Sequence, residues 1–385
     1  MKSSASWFCA CCLLVGASAP SSAHATDLLG LGNPAALAAD GAAYAYAKVF
    51  AASSYAPLQE AASEQWGSYS PIDGNNLDLV SARLGAGVLW HGLALGVLQR
   101  QEWLGQASRD TLDVYRAQQL GLPLPLGANY ALHYAVQGFA ANGLSAGTAF
   151  NLDGAAYRLR LGATASLLQG TRVKRQSASG SATVQPGQLL AVNGSAANAD
   201  SQLDTVANGF NANMQNGSAA GSGYSVDLGL RWESAGGVQM EWTVADAFSE
   251  MAWSGVPEVT LGGSSVFNGQ FPGGYKLRVN FQEALPVKHA LRLSVPVGPV
   301  RLELADTVLA SFHFPSLGIS TVGGSGGGAS GGAGTADWEM GLDYDFFFKT
   351  LGLRLGNRHG TFSLRSDSLN PGQARALMLG FELRV

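Results

Sequence analysis

The feature that most limits what this chain can become is a strict alternation of apolar and polar residues, repeated along most of its length. From Tyr157 the odd positions read Tyr157, Leu159, Leu161, Ala163, Ala165 and Leu167, against Arg158, Arg160, Gly162, Thr164 and Ser166. From Tyr224 the apolar set is Tyr224, Val226, Leu228, Leu230 and Trp232, set against Ser225, Asp227, Gly229 and Arg231. After the turn Ser234-Ala235-Gly236-Gly237 the pattern resumes as Val238, Met240, Trp242 and Val244. It returns from Tyr275 and again near Val287, Val300, Trp338, Leu351, Phe362 and Leu377, with softer copies around Leu84–Trp90, Leu93–Val97 and Tyr130–Val136. Side chains alternate faces only along a β-strand, so these are strands with one oily and one wet face. About 14 strands are expected, within 12–16, many joined by short Gly, Asn or Asp turns of antiparallel hairpins.

Two-faced strands have two solutions. In water the oily faces pack together as a sandwich, which at this length divides into domains of about 100 residues with linkers between them. No such division is visible. In a bilayer the oily faces turn outward and the strands close into a barrel with no free edge, so that every backbone group is paired. Strands of about 9–11 residues suffice to span, which matches these runs. Charged residues make up 13% of the chain, against about 25% in soluble domains, as expected when only one face of each strand is free to be polar. The composition excludes disorder, because 8 Trp, 11 Tyr and 16 Phe are present. A net charge of −4 excludes binding nucleic acid by phosphate neutralisation. Trp90, Trp103, Trp232, Trp242, Trp253 and Trp338 fall near strand ends, where interfacial girdles form.

Lys2, the apolar stretch Trp7–Val15 and the Ala23-His24-Ala25 site read as a signal peptide over residues 1–25. Cys9, Cys11 and Cys12 leave with it, so the exported chain has no disulfide. An exported large chain without cysteine points to the bacterial outer membrane. Residues 26–75 are Ala-rich, lack alternation and include a helix expected within Ser54–Trp66; they are expected to form a plug or hatch in the lumen rather than lie loose in the periplasm, with the barrel over 76–385. Residues 186–222 and the Gly-rich 323–334 read as long loops. The alternating end, Leu377, Leu379, Phe381, Leu383 and Val385, looks like the strand through which the outer-membrane assembly machinery recognises such barrels.

Asn33-Pro34-Ala35 before the first strands, together with the segment GYSVDLGLRWESAGGVQMEWTVADAF at 223–248, resembles the FadL-like family of outer-membrane barrels. The G-x-x-V-D-L-G-L core is similar to a hairpin recurring in FadL, PorV and TraF-like barrels. The resemblance implies an antiparallel transmembrane β-barrel with an N-terminal hatch formed by Asn33, Pro34 and Ala35. It implies either passive uptake of a small hydrophobic solute, or a non-transporting barrel that anchors or assists a secretion or conjugation apparatus.

By parity, Arg158, Arg160, Asp227, Arg231, Glu241, Lys276 and Arg278 are expected to face the lumen, with Lys288, Arg292, Arg301 and Glu303. They serve there as solvating groups and cross-strand charge pairs, or attract anionic solutes. The histidines of the exported chain, His91, His133, His289, His313 and His359, show no zinc-binding spacing, and no G-x-S-x-G elbow occurs. His289 and Ser294 have opposite parity, and His133 shares its face with Gln137, toward the lumen. No metal, no cofactor and no enzymatic activity are expected. The surrounding lipid is an expected partner.

Overall fold

Backbone pairing follows the period of the sequence. The computed structural model describes residue 29 and residues 33–36, 43–63, 66–215, 218–267, 274–321, 338–357 and 359–384. The leader, the Gly-rich 323–334 and Val385 lie outside the described residues. The strands are β1 (Ala43–Ser53), β2 (Asn75–Trp90), β3 (Leu93–Ser108), β4 (Asn129–Asp153), β5 (Tyr157–Gln185), β6 (Leu189–Asp200), β7 (Ala220–Ser234) and β8 (Gln239–Phe267). They continue as β9 (Tyr275–Glu283), β10 (Lys288–Val297), β11 (Val300–Leu309), β12 (Phe312–Thr321), β13 (Glu339–Asp345), β14 (Thr350–Asn357), β15 (Gly360–Ser366) and β16 (Ala376–Arg384).

Each of β1 to β5 pairs antiparallel with the next, then β5 with β7, β7 with β8, and β8 with β10. Pairing runs on in order from β10 to β16, and β16 pairs with β1 from Ala376↔Ala52 to Arg384↔Tyr44. The ring is closed and holds 14 strands; β6 and β9 lie outside it. Both chain ends of the wall meet at one rim, where β1 begins and β16 ends.

Parity sorts the faces as the alternation requires. Leu144, Phe150, Leu161, Leu167, Leu302, Leu304, Leu317, Ile319, Met340, Leu342, Leu351, Leu379 and Phe381 are exposed on the outside. Arg83, Arg100, Glu102, Lys288, Glu303, Arg354 and Arg365 are buried on the inside. Water-soluble sheets do the reverse, so this is the oily-outside arrangement of a bilayer barrel. No described helix is long and apolar enough to cross a membrane; the strands do the crossing. Trp90, Trp242 and Trp338 are exposed toward the terminal rim, the position of an aromatic belt. Trp253 is not part of it, being buried inside the wall with Phe139, Leu168, Val173 and Met251.

Two segment boundaries differ from those the sequence implies. The segment 26–75 is not all plug, because residues 43–53 are wall strand β1. Its inward Tyr44, Tyr46, Lys48 and Phe50 alternate with Ala45, Ala47, Val49 and Ala51, and alternation between aromatic and small apolar residues is invisible on a polar scale. The stretch 186–222 is not all loop either, since β6 adds on between β5 and β8. Its small residues, LLAVNGSAANAD, carry little hydrophobic contrast.

On one side the wall rises beyond the rim opposite the termini. β5 and β8 are each 29 residues long, and their upper halves carry β6 and β9. The outer face of this extension is covered by α1 (Leu58–Ser63) and α2 (Arg109–Leu120). Helix α2 starts at Ser108, whose side chain accepts from the Thr111 N–H, and buries Leu112, Val114 and Ala117. Of the helix expected within Ser54–Trp66, the described residues are helical over Leu58–Ser63. Tyr55 and Trp66 instead pack together, ring centroids 5.3 Å apart, with Tyr69 and Tyr115 around Trp66. Tyr55 donates its hydroxyl hydrogen bond to Asp78. Burial, and then the Asp78 charge, hold that hydroxyl well above the usual tyrosine range, so it remains a donor. Tyr55→Phe is expected to lower stability by about 1–3 kcal/mol, because it leaves the carboxylate without its donor; urea unfolding curves measure it.

Candidate functional site

The inside of the ring is filled by side chains in three zones. The middle zone begins with a bulge. The β7 step from Val226 to Leu228 faces the β8 stretch from Phe248 to Val244, so β8 carries extra residues there. Within them Asp246 has φ 58, and the bulge aims its side chain into the ring, as bulges do. Its backbone N–H is held by Asp227 Oδ1 at 2.8 Å, and Ser225 Oγ donates to its Oδ1 at 2.7 Å.

That carboxylate is the junction of a buried ionic bar. Arg100 forks onto it through NH1 at 2.7 Å and through NH2, and Lys288 Nζ reaches it at 2.7 Å. Glu102 completes the set, accepting from Arg100 Nε at 2.6 Å and Arg83 NH2 at 2.9 Å, and pairing with Lys288 Nζ at 2.8 Å. Asp246 is 1% exposed. Arg83, Arg100 and Glu102 stand on β2 and β3, while Asp246 and Lys288 stand on β8 and β10. Three wall strands separate the two groups, so the bar crosses the lumen rather than running along one wall. A second chain of pairs follows the wall: Arg231 to Glu241 (3.5 Å), Arg292 to Glu241 and Glu303 (3.4 and 3.0 Å), and Arg354 to Glu303 and Glu339 (3.1 Å each).

Toward the rim opposite the termini the lining turns apolar. Phe50, Leu77, Leu79, Leu309, Phe312, Phe314, Phe348 and Met378 form one buried cluster, and Leu29 lies within it. The turn Phe346–Lys349 folds Phe347 and Phe348 inward: Phe348 stacks on Phe314 at 5.6 Å, Phe347 meets Phe348 edge-on at 4.7 Å, and the Phe348 N–H binds Asp345 Oδ1 at 2.8 Å.

The third zone lies toward the terminal rim. Asn33 Nδ2 donates to the Leu230 carbonyl at 3.1 Å, and its Oδ1 accepts from the Ala35 N–H at 2.9 Å. The single 3-10 turn Pro34–Ala36 rests on β5 and β7 at two inward glycines. A Cβ on Gly162 would stand 2.3 Å from the Pro34 carbonyl carbon, and one on Gly229 would stand 2.1 Å from Asn33 Oδ1. Only glycine leaves that space.

Of the residues singled out from the sequence, Arg231, Glu241, Lys288, Arg292 and Glu303 enter the ionic lattice, and Asp227 positions Asp246. Arg158 sits at the terminal rim with Asp153, both 65% exposed, and Arg160 Nε binds Asn151 Oδ1. Lys276 and Arg278 are not in the lumen. They stand on β9, above the ring, and donate to the carbonyls of Gly209 and Met214. His133 likewise lies on the upper extension, exposed, with its backbone tied to Thr111, and His289 faces outward against Trp242. Sequence reading missed Arg83, Arg100, Glu102 and Asp246. The first three would have followed from extending the parity of β2 and β3 past their apolar halves; Asp246 would not, because its bulge breaks the period. Among the described residues no cluster of His, Cys, Asp and Glu could hold a metal.

A closed ring of 14 antiparallel strands, oily outside and polar across its middle, is the architecture of a bilayer-spanning β-barrel. No family model and no curated protein matches the chain. Solved structures do match it. A deltaS2S3 mutant of the TodX monoaromatic hydrocarbon channel aligns over 91% of this chain and 92% of its own, with 11% identity and a TM-score of 0.41. The toluene transporter TodX of P. putida aligns over 92% and 91%, with 11% identity and a TM-score of 0.35. The β domain of the Bordetella autotransporter BrkA aligns over 90% and 100%, with 10% identity and a TM-score of 0.25.

Proposed function

We propose that this barrel is an outer-membrane channel for passive uptake of small hydrophobic molecules, held closed at rest by its N-terminal segment and the ionic bar. The observation that carries the reading is the aromatic cluster inside the ring around Phe50, Phe314 and Phe348. A water-filled pore keeps a polar lumen, whereas a stretch of lumen lined by packed apolar side chains and flanked by a few fixed charges suits the passage of an apolar solute. On this reading the terminal rim faces the periplasm, and β16 is the strand by which the assembly machinery takes up the chain. Proteoliposomes carrying the full chain should accumulate a monocyclic aromatic hydrocarbon faster than empty vesicles, with no gain for a hexose. Deleting residues 26–42, which spares β1, should raise that rate. No difference from empty vesicles would remove the uptake reading. Electrically silent bilayers, together with stable capture of a secretion or conjugation component, would install the anchoring role in its place.

A further inference from the structure

We infer that the outward patch built on Trp103, Arg172 and Lys174 binds the phosphate groups of a phosphorylated lipid in the adjoining leaflet. The register of β5 makes the patch. Below residue 170 the even positions of β5 face the lumen, as Arg160, Gly162 and Leu168 do. At the pairing with β4, Ala141 faces Gly170 but Ala140 faces Arg172, so Thr171 is one residue too many. The bulge reverses the parity above it: Val173 becomes fully buried on the inside, and Arg172 and Lys174 turn from the lumen to the outer face.

On that face they meet a prepared platform. Gly138 is register-paired with both Trp103 and Lys174, and a Cβ there would stand 2.0 Å from Trp103 Cε3. The indole therefore lies directly over the β4 backbone. The Arg172 guanidinium sits over the ring, 4.8 Å from its centroid, and its Nε is buried with no hydrogen-bond partner among the described residues. Lys174 stands opposite Asp200 in the β6 register, and Asp200 Oδ1 accepts from the Gln202 N–H at 2.8 Å.

The height fits a headgroup. Trp103 lies ten residues up β3 from Leu93 at the terminal rim. At about 3.3 Å per residue and a tilt of about 40°, that rise is about 25 Å, the height of an outer-membrane apolar band. Leu144 on β4 and Leu167 on β5, 62% and 68% exposed, offer acyl chains a surface directly below. A guanidinium and an ammonium above that band, beside an interfacial tryptophan, match lipid phosphates in charge and depth.

This inference rests on the chain spanning a bilayer, and not on solute passage. The test is native mass spectrometry of the full chain in detergent with a bisphosphorylated lipid A, its dephosphorylated counterpart, or inorganic phosphate. The bisphosphorylated lipid should bind at least tenfold more tightly than the dephosphorylated one, and inorganic phosphate at millimolar concentration should not displace it. Arg172→Gln with Lys174→Gln should lose that tenfold preference, while Arg172→Lys keeps most of it and hydrocarbon uptake is unchanged in both. Equal binding of the two lipids, displacement by free phosphate, or full affinity in a double variant that still shows the heat-shifted gel mobility of a folded barrel would each overturn the assignment.

Discussion

Asp246→Ala is expected to destabilise the barrel by about 3–5 kcal/mol, the cost of stripping one partner from a buried ion pair. The side chain is the common acceptor for Arg100 and Lys288, and both cations are buried. Lys288 would keep Glu102 and the Pro286 carbonyl, and Arg100 would lose its fork. The loss should appear as a lower urea midpoint for unfolding from lipid vesicles, followed by tryptophan fluorescence. It should be coupled to Lys288: Asp246→Ala leaves three buried cations around Glu102, and adding Lys288→Met removes one of them, so part of the stability should return. Two losses that simply add would show that the bar is not a unit. The same variant removes the crossing between β3 and β8, so bilayer recordings should show openings that the parent chain lacks.

The wall was legible because burial and parity coincide wherever one face is oily and the other charged. Residues 157–167 and 224–232 need nothing beyond that contrast, and their strands pair as their alternation implies. Legibility failed where the contrast vanished or the period broke. Strand β1 alternates tyrosine with alanine, and β6 alternates small residues, so a scale that counts apolar against polar sees a plug and a loop. Asp246 lies in a bulge and Arg172 and Lys174 follow one, and a bulge is set by backbone pairing to another strand. The pairing that closes the ionic bar joins positions 146 residues apart, which no local pattern encodes. Lys276 and Arg278 show the opposite error: their alternation is real, but their strand pairs above the ring, where parity no longer distinguishes lumen from exterior.

Gly162→Val tests whether the N-terminal segment closes the barrel. The branched side chain would enter a space where even a Cβ lies 2.3 Å from the Pro34 carbonyl carbon, and a strand hydrogen-bonded on both sides cannot yield. The segment must therefore leave its seat, breaking the Asn33 bond to the Leu230 carbonyl. Losing a docking contact of about 1.4 kcal/mol multiplies the undocked population tenfold. Thermolysin cleavage within residues 26–42 is expected to rise by at least that factor, together with larger conductance steps and faster hydrocarbon entry. Gly229→Val, on the other side of the same turn, should do likewise. Gly236→Ala is the control, since its Cβ would meet nothing closer than Ser234 Oγ at 3.7 Å. If both valine variants are cleaved and conduct as the parent does, the segment is a passive tail and the lumen is closed by the ionic bar alone.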